Sequence, residues 1–418
     1  MSPDPGASTH YLPDAHEQGE PVTNRRTYID IHILQTVPPS NLNRDDAGSP
    51  KQAVYGGARR ARVSSQAWKR ATRKAFQDEL GIPADQLGTR TKRVSTLLAT
   101  RLAERTGLDG EAAARLSNAL LAHDLDIKAG KKAAESAYLL FFGRGQLDAI
   151  VDLVAERAAE LTALADDALA KAVADLPVRA QLTVKHPIDV ALFGRMVADI
   201  PALNVDAATQ VAHALSVHPV EIEFDYYTAV DDEKTAEEDA GAAMIGTVEF
   251  TSATLYRFAT LDVHHLAVNL DQDPEATIEA VRAFLRAFVT SMPTGHQNTF
   301  AHRTVPSMVS YVVRADQPVN LVSAFESPIR SRDGIAAKAA LRLAGELNRT
   351  STAWGLNPLA VASIYDPAST AAAISHQDRD SDPASVAHAF GAPRSLDEAI
   401  DATIAAVRPR LDGSTTPR

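Results

Sequence analysis

The chain has no cysteine. Disulfides, thiolate zinc sites, iron–sulfur clusters and cysteine nucleophiles are excluded together. It has no uninterrupted apolar run near the ~18 residues that mark a membrane span. The opening MSPDPGASTHYLPDAHEQGEPVTNRR contains no apolar core of a signal peptide, and its Pro, Gly and acidic content predicts a disordered leader over 1–25. Walker and dinucleotide fingerprints, Gly-x-Ser-x-Gly and internal repeats are also missing. His264-His265 lacks the i,i+4 spacing of a zinc helix and is expected on a strand or loop. Phe142-Gly143-Arg144-Gly145 is too short for a nucleotide loop. A soluble, cytoplasmic, non-enzymatic protein with no metal and no cofactor is the expectation.

What is present is a concentration of positive charge. The formal net charge is -11, yet Asn41–Lys74 carries nine cations (Arg44, Lys51, Arg59, Arg60, Arg62, Lys69, Arg70, Arg73, Lys74) against Asp45 and Asp46. Nine against two gives +7 and leaves -18 on the other residues. A basic island on an acidic chain predicts a polyanion site, because clustered Lys and Arg release counterions from a phosphate backbone.

At 418 residues, with 45% apolar and 23% charged residues, the chain is long enough for two or three cores. Ile29, Ile31 and Ile33 alternate with Asp30 and His32, the period of a half-buried strand that Val37-Pro38-Pro39-Ser40 ends. After Gly56-Gly57, Arg59–Val63 predicts a short strand. Ser64 or Ser65 then caps a helix to Leu80, stopped by Gly81 and Pro83. Residues 91–180 are helical in composition, with few breakers in Glu111–His123 and Leu147–Leu176. Strands are expected at Pro187–Phe193, Val220–Tyr227, Thr247–Phe258 and Met308–Val313. Helices are expected at Pro274–Ser291 (capped by Asp273), Asp333–Asn348 and Leu396–Val407. Strands dispersed among helices predict an α+β fold.

In the first helix Trp68, Ala71, Thr72, Ala75 and Phe76 form the inner stripe, while Gln66, Lys69, Arg70 and Arg73 share another side. Ser64, Ser65 and Gln66 add donors at its amino end, itself an anion site. Gly194-Arg195-Met196 offers a close backbone approach and an apolar wedge, Met196, beside nucleobases. His296-Gln297-Asn298-Thr299 supplies further donors from a loop.

These segments resemble the CasC family, the repeated backbone subunit of the type I-E CRISPR Cascade complex. The resemblance rests on DIHILQTVPPSNLNRDDAGSPKQAVYGGARRARVSSQAWKRATRK, IDVALFGRM (188–196), FDYYTAVDD (224–232), GTVEFTSATLYRF (246–258) and HQNTFA (296–301), in family order. It implies an RRM-like (ferredoxin-like) palm over 26–74 and 183–368, helical fingers over 75–182 and a protruding thumb hairpin over about 218–248. A C-terminal helical segment over 369–418 follows. It further implies copies arranged head-to-tail along one CRISPR RNA, pairing with target DNA through the guide, and contacts with other Cascade subunits. Arg44, Lys51, Arg59, Arg60, Ser64, Gln66, Lys69, Arg70, Arg73 and Gln297 are then guide contacts, with Met196 near a displaced base.

Ala58 stands where that pattern favours a cation. The thumb connector carries Asp231, Asp232, Glu233, Glu237, Glu238 and Asp239 against Lys234 alone, so it is expected to touch the basic region of a neighbouring copy and avoid phosphate. Two competing classes stay open: a metal-dependent RNase using Asp45 or Asp46, as in related type III backbone subunits, and a protein-interaction module with an incidental basic patch.

Overall fold

The computed structural model describes residues 26–125, 139–198, 200–229, 244–331, 334–368 and 384–411. Strand β1 (Tyr28–Ser40) runs through the middle of a nine-stranded sheet. It pairs antiparallel with β10 (Met308–Arg314) on one side and with β9 (Met244–Asp262) on the other. Beyond β10 lies β11 (Ala360–Tyr365). The far edge of β9 is shared by three short strands, β6 (Thr209–Val211), β7 (Ala214–Ser216) and β8 (Glu223–Ala229). From β7 the sheet passes to β3 (Ala58–Val63) and β2 (Gln52–Tyr55), joined through Gly56-Gly57.

Both faces of this sheet are covered. Ile29, Ile31 and Ile33 pack beneath α1 (Ser65–Asp78), α10 (Pro274–Thr290) and α14 (Leu396–Leu411), against Phe76, Phe284, Phe288 and Ile400. On the opposite face Leu34, Tyr256 and Phe258 meet α12 (Ile335–Trp354) and α13 (Ala384–Phe390), through Leu343, Leu347 and Phe390. The half-buried reading of β1 is therefore corrected. Asp30 and His32 are wholly buried, because the polar half of the alternation lies under α12 and the 316–329 segment. Each finds partners there. Asp30 Oδ2 accepts from Arg314 Nε at 2.9 Å and from the Val319 amide at 2.9 Å; His32 Nδ1 lies 2.9 Å from the Tyr256 hydroxyl.

A second core closes separately, from Val94 to Leu203. It is built on the two-stranded pair β4 (Gly88–Thr91) and β5 (Leu140–Gly143) and on α2 (Val94–Thr106), α3 (Gly110–Leu125), α4 (Arg144–Asp152) and α6 (Asp166–Val173). Leu98, Leu116, Leu147 and Ile150 are fully buried within it.

Several local expectations change. The Pro38-Pro39 pair does not end β1; the strand absorbs it as a register shift between Val37 and Ser40, a placement where missing amide hydrogens are tolerated. Leu147–Leu176 is helical as expected, divided into α4, a 3-10 turn, α5 (Ala158–Thr162) and α6. Ile188–Phe193 is a helix, α8, started by Pro187 and stopped at Gly194. Its apolar run is buried nearly all round, and burial erases the periodicity that separates helix from strand. The histidine pair sits on α9 (Val263–Asn269), capped by Asp262. The hairpin strand β8 begins at Glu223, and α12 runs past Asn348 to Trp354, while Asp333 lies outside the described residues. The leader and the acidic connector 230–243 also lie outside them.

Candidate nucleic-acid interface

The inner face of α1 is fixed by an unusual contact. The Arg257 guanidinium, on β9, stacks 3.7 Å from the Trp68 ring centroid and 4.8 Å from that of Phe288. It donates to Gln35 Oε1 at 2.6 Å and to the Phe288 carbonyl. Burial pushes this guanidinium down to about 9. With Trp68, Thr72, Ala75 and Phe76 buried, the helix can present only one side outward. That side carries Gln66, Lys69, Arg70 and Arg73.

The amino end of α1 is organised by side chains. Ser64 is the N-cap: its hydroxyl accepts from the Ala67 amide at 3.3 Å, and its own amide donates to Asn43 Oδ1 at 2.9 Å. Ser65 and Gln66, the first two helical residues, keep amides with no intrahelical acceptor. The Asn43 link ties the 41–51 loop to this end, and the Lys51 amide donates back to the Asn43 carbonyl at 2.9 Å.

A second loop is pressed against the first. Gly295 packs so closely that a Cβ there would sit 2.4 Å from the Leu42 carbonyl oxygen. The expected His296–Thr299 loop includes a single short helix, α11 (Gln297–Phe300), bounded by left-handed His296 and Ala301. His296 Nε2 lies 3.0 Å from Arg44 Nη1, so Arg44 and exposed Gln297 share one surface. Phe300 packs on Phe250 at the foot of the β8–β9 hairpin, with ring centroids 5.8 Å apart.

A third segment approaches α1 from its other end. Lys69 Nζ lies 6.0 Å from the Phe193 ring centroid, and Arg73 Nε donates to Asp189 Oδ2 at 3.0 Å. Burial lowers the Lys69 pKa; burial raises that of the Asp189 carboxyl, opposed by Arg73 and by the Gly88 amide at 2.7 Å. Gly194 holds φ +74° with a Cβ position 2.6 Å from the Val205 oxygen, so the chain turns tightly and Met196 stands 84% exposed. Arg195 points the other way. It is buried and donates to the carbonyls of Leu203, Phe141 and Leu182, at 2.6, 3.2 and 2.8 Å.

Nine of the eleven sequence-derived contact residues thus occupy connected segments: Arg44, Lys51, Ser64, Gln66, Lys69, Arg70, Arg73, Met196 and Gln297. Arg59 lies exposed on the β2–β3 hairpin, donating to Gln52 Oε1 at 3.0 Å. Arg60 is a correction. It is wholly buried and donates to the Ser216 and Phe325 carbonyls at 2.8 Å each and to the Tyr55 carbonyl at 3.3 Å. No polyanion reaches it in this chain, and its work is to join β3, β7 and the 321–325 turn. Burial lowers its pKa.

Asp45 closes its own loop, accepting from the Ala47 and Ser49 amides at 3.0 Å each. Among the described residues no three His, Asp or Glu side chains converge as metal ligands would. Sequence reasoning passed over Asp189, and it named His296 as a loop donor without its partner Arg44. Asp189 had a signal, a lone carboxylate inside an apolar run; the pairing of His296 with Arg44, 252 residues apart, had none. Clustered cations and free amides at a helix amino end are groups that suit phosphate oxygens.

Comparison with known proteins follows this geometry. The sequence model of the family described as "CT1975-like protein" matches residues 29–392. A chain of a solved "CRISPR RNA-guided surveillance complex, pre-nicking" is similar at 32% identity, over 91% of this chain and 99% of that one, with a TM-score of 0.73. A chain of a second "CRISPR RNA-guided surveillance complex" is similar at 29% identity over the same shares, with a TM-score of 0.65. Among curated proteins nothing matches. No helix among the described residues is long and apolar enough to cross a membrane.

Proposed function

The chain belongs to the CT1975-like protein family, and from that premise we propose that it is a CRISPR RNA-binding backbone subunit of a type I-E Cascade surveillance complex. The observation that carries the proposal is the likeness, at 32% identity, to 99% of a chain from a CRISPR RNA-guided surveillance complex. The contiguous cationic surface on α1 and its two neighbouring loops supplies the physical means.

In this reading β10–β1–β9 with β6 and β7, crossed by α1 and α10, is the RRM-like palm. The second lobe forms the fingers, and the β8–β9 hairpin is the root of the thumb. Copies follow one another along a single guide, each holding phosphates with Arg44, Lys51, Ser64, Gln66, Lys69, Arg70 and Arg73. Met196 props a displaced base. A subunit that must accept any guide sequence gains from holding the backbone and leaving base edges free for target DNA. The role is non-catalytic; cleavage belongs to a recruited partner, and the other Cascade subunits complete the particle.

The test is co-expression with the native operon neighbours, followed by sizing of the particle and sequencing of its RNA. A large particle carrying discrete repeat-spacer RNAs is expected. A small RNA-free species formed with those partners present would overturn the reading. Regularly spaced magnesium-dependent cuts in RNA complementary to the guide would move the assignment to the nuclease and to Asp45 or Asp46.

A further inference from the structure

The cationic surface does not stop at the end of the α1 face described above. Between α1 and the second lobe lies a cleft of about 300 Å³ that Arg70, Arg73, Lys74 and Arg144 line, with Asp78 and Asp189. Arg144 opens α4 and is exposed; its Nε lies 3.4 Å from Thr89 Oγ1. Behind the cleft, the Arg73 and Arg90 guanidiniums lie 4.4 and 4.7 Å from the same Phe141 ring centroid. Two like charges on one ring repel, and the Arg90 pKa is lowered first by burial and then by Arg73.

The carboxylates available do not balance this charge. Asp189 is already committed to Arg73 and to the Gly88 amide. Asp78 sits 4.0 Å from Lys74, with both side chains exposed to solvent. Four lining cations against two carboxylates leave +2 in a concave site at the lobe junction, with Arg90 adding a further charge behind it. A concavity with excess positive charge focuses the field and draws an anion. Planar guanidiniums and an ammonium group suit phosphate oxygens.

We propose that this cleft is a second phosphodiester subsite, in which Lys74, Arg70 and Arg144 grip a nucleic-acid backbone phosphate from both lobes at once. The inference rests on the nucleic-acid-binding reading and extends it: the grip comes from the second lobe as well as from α1. Lys74 closes the basic segment, whereas Arg144 lies outside it and is brought to the same cleft only by the fold.

The experiment measures the salt dependence of single-stranded RNA binding for the full chain, and of complementary DNA binding for the guide-loaded complex. Wild type is compared with Lys74→Gln/Arg144→Gln and with Asp78→Asn. Loss of one phosphate contact makes the log–log slope shallower by about 0.7 on single strands, with an unchanged thermal midpoint. Asp78→Asn, which removes a negative charge from the same cleft, is expected to tighten binding. A change in the RNA arm identifies a guide phosphate; a change confined to the DNA arm identifies a target-strand phosphate. Unchanged slopes and affinities in both arms overturn the subsite while leaving the functional reading intact. A wild-type chain that binds neither strand overturns both.

Discussion

Arg59 and Arg60 are consecutive in the chain and opposite in use. Arg59 stands in solvent on the β2–β3 hairpin, while Arg60 is wholly enclosed and donates to four backbone carbonyls, those of Tyr55, Ser216, Phe325 and Glu326. The contrast extends across the molecule. Arg195, Arg257 and Arg314 are interior struts, each serving carbonyls, rings or a carboxylate. Lys69, Arg70 and Arg73 form a surface that such struts hold rigid. In a strand the difference is set by one step of the pleat, because successive side chains face opposite ways. A basic run on a strand is therefore two sets of residues, and charge density overstates the number available to a ligand.

The sharpest way to break this comparison is at Arg314, whose pair with Asp30 has both side chains at 0% exposure. Arg314→Leu should cost about 3–5 kcal/mol, because a buried carboxylate is left uncompensated. The double variant Asp30→Leu/Arg314→Leu should recover most of that loss. Urea denaturation measures both, and a double variant no more stable than the single one would refute the account.

Next come the two neighbours. Arg60→Leu strands the buried carbonyls of Ser216 and Phe325, with those of Tyr55 and Glu326 at the margin, and should cost about 2–4 kcal/mol. Arg59→Leu should stay within about 0.5 kcal/mol of wild type while weakening RNA binding. Denaturation and filter binding on both variants separate the roles; equal stability losses would erase the distinction.

The last effect is a pH dependence at His32, absent at neutral pH and growing only on acidification. Burial holds its imidazole down to about 3, with Arg314 a lesser cause, from an ordinary 6.5. The folded pKa is depressed, so its contribution is present above about 6.5 and is lost as pH falls toward 3. Asp30 acts in the opposite sense, since burial raises its carboxyl to about 6 and its contribution fades as pH rises from about 4 to 6. The difference in unfolding free energy between wild type and His32→Gln should be flat above pH 7 and shrink on acidification below 6.5. A difference that is constant down to pH 4 would exclude the mechanism.

What the sequence made legible follows where its signals are local. The Ser64 cap, the Asp273 cap and the stripe of Ile278, Val281, Leu285 and Phe288 are each read within one or two helical turns, and each holds. The central strand was found, yet the burial of Asp30 and His32 was not, since that depends on α12, three hundred residues away. Ile188–Phe193 misled because an all-buried run has no period. The cationic face of α1 was visible from spacing; its connection to Arg44 and Gln297 depended on loops that only the fold brings together.

Strand β9 changes its partner partway along its length. Its residues Met244–Phe250 pair only with β8, and those from Thr251 to Asp262 pair with β1, so the two ladders meet with no residue between them. At about 3.3 Å per residue the part beyond the β1 ladder measures roughly 20 Å. Its foot is braced from outside the hairpin, by Phe300 against Phe250 and by Asn41 Nδ2 donating to the Glu249 carbonyl at 3.0 Å, so the projecting ladder is anchored to both neighbouring loops just before it joins the main core at Thr251. The same strand thus serves as the outer rail of the hairpin and, a few residues on, as the partner of the strand that holds Asp30 and His32.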